Sequence, residues 1–354
     1  MLGVGLLWLV LEWYGASSEV PWLFLLAAWI LVLLVAAAAY AWWNRAGLRL
    51  HLAVKSNRPA PLSPVDELPE YLLRGAPVPE PVFEGDGVEV EVGLETTGDS
   101  RGPAWVEGVL GGKQVAFGTG LVPKMGWRRL KVLRELRRGP IAATGWRIGT
   151  SDPLGFFSGS RRCSDAEVAL VLPRFTSLST RRQTREVEAS VAAPRAGSGN
   201  ELFGVREYRP GDSLRRIHWR SSARHAALVV REYEPPGVRR LAIHVDPAPP
   251  TEEVADQVAR IAASEAWDCI RDGGWVRLES EQPTRDIWVV LEWLARYPRP
   301  SVAFGDTSTR SGEELVVITA GAEIPEHAHR VWVVGDAEIG SDIAFERVGT
   351  QWPL

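Results

Sequence analysis

The sequence predicts an α/β plus all-β protein in three parts: an N-terminal transmembrane helix or hairpin, a small antiparallel β-sandwich, and a C-terminal parallel sheet covered by helices. Three observations carry this. Val20–Trp43 runs for 24 residues without a charge. Between Val82 and Arg174, short β-like runs follow one another with no helical period between them. From Leu241 onward, apolar runs rich in β-branched residues alternate with amphipathic helical stretches. At about 150 residues per domain, 354 residues suit two folded domains with an appendage. The predicted divisions are 1–43 (membrane anchor), 44–81 (juxtamembrane strand and Pro-rich linker), 82–175 (β-sandwich), 176–240 (Arg-rich segment) and 241–354 (α/β domain).

As a helix, Val20–Trp43 spans about 36 Å at about 1.5 Å per residue, enough for a bilayer core of about 30 Å. Trp22 stands near one end and Tyr40, Trp42 and Trp43 near the other, where amphipathic rings settle among headgroups. Before it, Leu2–Leu11 is apolar but short, and Glu12 interrupts it. Leu2–Tyr14 is therefore either the short first arm of a helical hairpin or an interfacial stub, and Gly15-Ala16-Ser17-Ser18 predicts a tight turn after it. Residues 1–43 hold no Lys or Arg, whereas Arg45, Arg49, Lys55 and Arg58 follow with no acid among them. By the positive-inside rule, everything after Trp43 is expected in the cytoplasm, with the anchor in the cell membrane. The two cysteines, Cys163 and Cys269, cannot build a disulfide framework, which agrees with a reducing compartment.

Leu48, Leu50, Leu52 and Val54 alternate with polar residues, a strand period of two. A proline-rich stretch from Pro59 to Pro81 then reads as an extended linker, with a short helix around Val65–Leu73. In the β region Val88, Val90, Val92 and Leu94 alternate with Glu89, Glu91 and Glu95. Further runs occur at Ala104–Leu110, Gln114–Phe117, Trp127–Leu133, Trp146–Ile148 and Ala166–Leu172. Strands so spaced predict a sandwich.

Leu241–Val245 is a buried-strand run ending at Asp246. Thr251 caps a helix with Glu252 and Glu253 in its first turn, and Val254, Val258, Ile261, Ala262 and Cys269 mark its apolar face. A strand at Trp275–Leu278 follows. Asp286 then caps a second helix, and Leu315–Thr319 and Val331–Val334 are further strands. This alternation predicts a parallel sheet with helical cover.

Net charge is −4, from 40 Lys+Arg and 44 Asp+Glu, which excludes a globally basic nucleic-acid binder. Leu241–Leu354 has nine Arg and no Lys against 20 acids, so the C-terminal part repels polyanions. Against that background Val205–Arg231 concentrates seven arginines, with Tyr208 and Trp219 as stacking faces. Its guanidinium groups suit carboxylates or phosphates: they lock onto acids of the C-terminal domain, dock an acidic partner, or bind a phosphate or lipid headgroup.

The segment resembles the bacterial domain of unknown function 58 family. The matching residues are Glu207-Tyr208 with Gly211-Asp212, then Arg216-Ile217 with Trp219, then Ser222-Ala223-Arg224, joined by Leu228–Glu232 to the strand ending at Asp246. Upstream, Ser151–Phe157 is similar to the family's DPFG-type turn, and Val171-Leu172-Pro173-Arg174 to its strand exit. The resemblance implies a membrane-anchored protein with a β module and a von Willebrand factor A-like domain. It also implies work beside a MoxR-type AAA+ ATPase and other membrane proteins in maturing a client. Tyr208, Gly211, Asp212, Arg215, Arg216, Trp219, Arg220 and Arg224 are then the family-motif residues and the candidate docking set.

A magnesium-binding A-like domain places Asp-x-Ser-x-Ser after its first strand, since hard cations take oxygen ligands. The matching positions here are Asp246, Ala248 and Pro250, and a second expected Asp is replaced by Ala320. Asp246 is thus a degenerate metal-site position, with no metal and no cofactor expected. Gly111-Gly112-Lys113-Gln114 lacks the spacing of a phosphate-binding loop. His327 and His329 have no Cys or third His nearby, and His218 has only Ser221 and Ser222 as neighbouring nucleophiles. The expectation is a non-enzymatic scaffold or adaptor with no catalytic residue and no nucleic-acid partner. A metal-dependent A-domain ligand-binding module is the alternative, and a hydrolase built around His218 stands last.

Overall fold

The computed structural model describes residues 2–18, 21–61, 63–64, 68–74, 76, 81–179, 202–207, 222, 228–233, 239–279, 281–298, 312–321, 324–336 and 345–352. The chain divides into two compact units, Met1–Arg174 and Phe175–Leu354.

The first unit opens with two helices, α1 (Leu2–Ser18) and α2 (Pro21–Ala46), which pack on each other. Gly15 permits the approach: a Cβ there would lie 3.3 Å from that of Leu23. The predicted turn at Gly15–Ser18 is corrected, because α1 stays helical through Ser18, where the Ser17 hydroxyl donates to the Tyr14 carbonyl at 3.1 Å. Trp22–Ala46 is long and apolar enough to cross a membrane, and only 17% of its apolar window is buried. A core helix of a soluble domain would be mostly covered. Trp22, Leu25, Trp29, Val32 and Val35 are instead exposed. α2 runs past Trp43 into Arg45, whose charge suits the negative end of the helix dipole.

The β part comprises β1 (Leu48–Arg58), the short helix α3 (Glu70–Arg74), β2 (Val82–Phe83), β3 (Gly87–Thr96), β4 (Ala104–Leu110), β5 (Lys113–Thr119), β6 (Trp127–Leu133), β7 (Gly139–Ser151), β8 (Ser158–Arg162) and β9 (Ala166–Leu172). One sheet has the order β1-β3-β6. The other has β2-β9-β7-β4-β5, with β8 added on β7. Val88, Val90, Val92 and Leu94 of β3 point inward with Leu48, onto Val106, Leu110, Ile141, Trp146 and Ile148 of the facing sheet. Two expectations change. β1, assigned to the juxtamembrane segment, is an edge strand of the sandwich, paired with β3 from Leu48↔Thr96 to Arg58↔Gly87. Burial of Leu48 and partial burial of Leu50, Leu52 and Val54 require that pairing. The sandwich is also not wholly antiparallel, since β2 runs parallel to β9. β8, Ser-Gly-Ser-Arg-Arg, carries no apolar alternation, so its sequence has no strand period.

In the second unit β10 (Leu202–Glu207) and β11 (Val229–Tyr233) form an antiparallel ribbon. Then come β12 (Arg240–Val245), α4 (Glu252–Arg271), β13 (Trp275–Leu278), α5 (Ile287–Ala295), β14 (Glu314–Thr319), β15 (Arg330–Val334) and β16 (Phe345–Val348). Both predicted caps form: Thr251 accepts from the Val254 amide at 3.3 Å, and Asp286 from the Trp288 amide at 2.9 Å. The five strands are all parallel in the order β13-β12-β14-β15-β16. Trp332 turns toward α4, where its indole donates to Glu265 at 2.9 Å. Ala242, Leu315, Val317, Val331 and Val333 make a core on the opposite face. The Phe175 ring packs tilted against that of Trp267, and the Leu178 amide donates to buried Asp268 at 2.9 Å, holding this unit's first residues on α4.

Candidate functional site

In the order β13-β12-β14-β15-β16 the connection leaving β12 runs to one side, to β13, and that leaving β14 to the other, to β15, so the reversal falls between the carboxyl ends of β12 and β14. Open parallel sheets bind ligands at such a switch point. Asp246 sits there, 4% exposed. Its Oδ1 accepts the Ala248 amide at 3.0 Å, and its Oδ2 accepts the Ala320 amide at 2.8 Å and the Thr319 hydroxyl at 3.2 Å. The Tyr297 hydroxyl donates to the Asp246 carbonyl. Two of the positions expected to lack oxygen ligands, Ala248 and Ala320, therefore supply amide donors instead. A carboxylate occupied this way holds two strand ends and two loops together, and its lone pairs are directed at its own chain. Among the described residues, no three of His, Cys, Asp and Glu gather as a metal site.

Two residues before Asp246 begins a polar chain that the sequence motifs did not mark. His244 is buried, its Nδ1 3.0 Å from Glu279 Oε2, while Glu279 Oε1 accepts the Val245 amide at 2.7 Å. Glu279 adopts φ +49°, a conformation L-residues avoid, and its carbonyl accepts Arg277 Nη1 at 2.5 Å. Arg277 in turn grips Glu313 with two nitrogens, at 2.7 and 3.3 Å. The Nε2 of His244 has no hydrogen-bond partner among the described residues. A histidine oriented by a carboxylate is the support a general base needs. Here, however, the imidazole is sealed within the sheet and no described nucleophile is bonded to it. The signal available in the sequence was a lone His inside the apolar run Leu241–Val245.

The described nucleophilic sulfurs are quiet as well. Burial raises the Cys269 thiol to about 11, and the nearby Arg239 guanidinium offsets only part of that. Burial also raises Cys163, against the pull of Arg161. Thiolate, the reactive form, is thus suppressed at both.

A third arrangement joins α2 to the sandwich. Asn44, fully buried, donates to the carbonyls of Pro103 at 3.1 Å and Ser151 at 3.3 Å, and accepts the Gly102 amide at 2.9 Å. The Tyr40 hydroxyl donates to the Gly102 carbonyl at 2.6 Å. Arg101 stacks 3.4 Å over the Trp43 ring and donates to the Trp43 carbonyl. Gly47 makes this approach sterically open, because a Cβ there would lie 2.6 Å from the Arg101 guanidinium. The helix therefore continues into β1 as one bonded body.

Tyr208, Gly211, Asp212, Arg215, Arg216, Trp219, Arg220 and Arg224 lie outside the described residues. Their flanks are described: Glu207 pairs with Val229 and Val205 with Arg231, so the two ends of the Arg-rich stretch are brought side by side.

Residues 204–266 match the family described as "Protein of unknown function DUF58". A protein of Bacillus subtilis (strain 168) named "Uncharacterized protein YeaD" is 24% identical over 163 residues, covering 45% of this chain and 40% of that protein. The match thus spans less than half the length of that relative. Both comparisons support the DUF58 family. The DUF58 match takes in part of β10, the Arg-rich stretch, β11, β12 and most of α4, and so includes His244 and Asp246. Glu279 and Thr319, which complete the contacts of those two residues, lie beyond it.

Proposed function

We propose that this protein is a non-enzymatic scaffold or adaptor, moored by α2 in the cell membrane with its folded units on the cytoplasmic face. In this reading it works with a MoxR-type AAA+ ATPase in assembling or maturing a client protein. The observation that carries the reading is the junction at Asn44: an exposed apolar helix of membrane-spanning length passes into the β-sandwich through buried hydrogen bonds. An anchor built this way positions whatever the sandwich carries. The cationic residues Arg45, Arg49, Lys55 and Arg58 follow the span and support the inward orientation.

The second unit is read as a von Willebrand factor A-like domain whose cation site has degenerated. Its strand order supports this, as does the filling of the Asp246 carboxylate by Ala248, Thr319 and Ala320. The same contacts weigh against the metal-dependent alternative. The Arg-rich stretch, its ends paired in β10 and β11, is the proposed docking segment for an acidic protein surface. Affinity purification of the tagged full-length protein from membranes in mild detergent tests the proposal. Recovery of an AAA+ ATPase that falls away when Arg215, Arg216 and Arg220 are replaced by Ala is the expected result. Recovery of no ATPase and no client would overturn it.

A further inference from the structure

Three loops meet at the end of the sandwich where α2 joins: β3–β4 (97–103), β5–β6 (120–126) and β7–β8 (152–157). Their level along α2 is fixed by contacts. Tyr40 and Asn44 bond to Gly102, Pro103 and Ser151, and Arg101, stacked on Trp43, bridges to Val122. Tyr40, Trp42 and Trp43 end the apolar span, and such rings sit among lipid headgroups. With α2 across a bilayer, the three loops stand at headgroup level too.

The apolar surface of the sandwich follows the same division. Of the described large hydrophobic residues between 82 and 174, those exposed are Leu121, Met125, Leu130, Val132 and Leu154. Leu130 and Val132 lie on the edge strand β6. The other three tip the loops beside α2, with Met125 91%, Leu121 58% and Leu154 56% exposed. Loops at the far end carry Gly112, Arg134, Glu135, Arg137 and Asp165 instead. The Leu154 tip is rigid before any contact: buried Asp152 accepts the amides of Leu154 at 3.0 Å and Phe157 at 2.6 Å, with Gly155 at φ +74° closing the turn. Cations accompany the apolar tips. Lys124 pairs with Asp99 at 2.8 Å, cancelling the acid that would repel anionic headgroups, and Arg45 lies along β8 at Gly159.

We infer that these loop tips are a second membrane contact, in which Leu121, Met125 and Leu154 enter the headgroup–acyl boundary beside α2 and seat the sandwich on the bilayer. The inference rests on the membrane-anchor reading above. A helix alone leaves its cargo free to tilt; three apolar tips around the helix exit remove that freedom. Depth along the anchor is what identifies the occupant as lipid, since the tips stand at the level of the aromatic rings that border the span.

The test uses the full chain with Cys163→Ser, in vesicles of phosphatidylcholine and phosphatidylglycerol. An environment-sensitive fluorophore is attached singly at Met125→Cys, Leu154→Cys, Lys113→Cys or Trp29→Cys. Labels at 125 and 154 are expected to shift to the blue, lose iodide quenching and be quenched by shallow spin-labelled lipid. The label at 113 stays open to iodide, and that at 29 is quenched by deep spin-labelled lipid. If 125 and 154 behave like 113 while 29 remains lipid-quenched, the loops stand in water and the inference falls with the anchor intact. If 29 is also quenched by iodide, the anchor reading fails and takes the inference with it.

Discussion

The Asp246 carboxylate gathers three donors from two places in the chain, so truncating it leaves the Ala248 and Ala320 amides and the Thr319 hydroxyl without their acceptor. Hydrogen bonds to a charged group are each worth about 1.5–3 kcal/mol, only partly recovered by water at a buried site, so Asp246→Ala is expected to cost about 3 kcal/mol. Chemical unfolding of the detergent-solubilised chain measures this. Millimolar Mg²⁺ is expected to leave the wild-type Tm unchanged, whereas a rise abolished by Asp246→Ala would restore the metal-dependent reading. Cys269 gives a second prediction at this scale. Its folded thiol titrates near 11, above the ordinary value of about 8.5. Between those values the unfolded chain loses this proton first, so stability falls as pH rises through that window and is fully present below it. Cys269→Ala should flatten the alkaline slope of stability against pH relative to wild type, and the native thiol should resist iodoacetamide at pH 8.

Among elements, α2 has two halves with different partners. Its apolar length shows side chains that suit lipid, while its last two turns are built to fit protein. Asn44→Ala leaves the Gly102 amide without its acceptor and the Ser151 carbonyl without the Asn44 donor, while the Pro103 carbonyl keeps only the Ser151 amide. At about 1–3 kcal/mol for each unsatisfied group, with partial relaxation, a loss of about 3 kcal/mol in the first unit is expected. Limited proteolysis should then cut near the α2–β1 junction faster than in wild type, and an unchanged cutting rate would mean the junction is held elsewhere. β1 teaches a related lesson. Its period of two was plain in Leu48, Leu50, Leu52 and Val54. Its membership in the sandwich depends on a pairing with β3 that crosses the whole proline-rich stretch.

For the whole molecule, charge is divided along the chain: no cation precedes Trp43, four follow it at once, and the acids collect after Leu241. Protease added outside intact cells is expected to spare the C-terminal half of a tagged chain, and to digest it once the membrane is opened. Digestion without opening would reverse the orientation. Much of this plan was legible in the sequence. Ala104–Leu110, Trp127–Leu133, Ala166–Leu172 and Trp275–Leu278 form strands at the predicted bounds, and Thr251 and Asp286 cap as predicted. These features are local: a period of two or a cap is written within a few consecutive residues.

The chain alone thus determined the apolar span, the β and α/β halves, the lack of side-chain oxygens at Ala248 and Pro250 after Asp246, and the concentration of arginines between 205 and 231. Only the tertiary structure decided where β1 pairs, that Asn44 welds the helix to the sandwich, and that His244 meets Glu279. It also decided that the Asp246 carboxylate is closed by Ala248, Thr319 and Ala320. The reason is sequence distance. Asn44 meets Ser151 and Asp246 meets Ala320 across 107 and 74 positions, and no local periodicity encodes a contact whose partners only folding brings together.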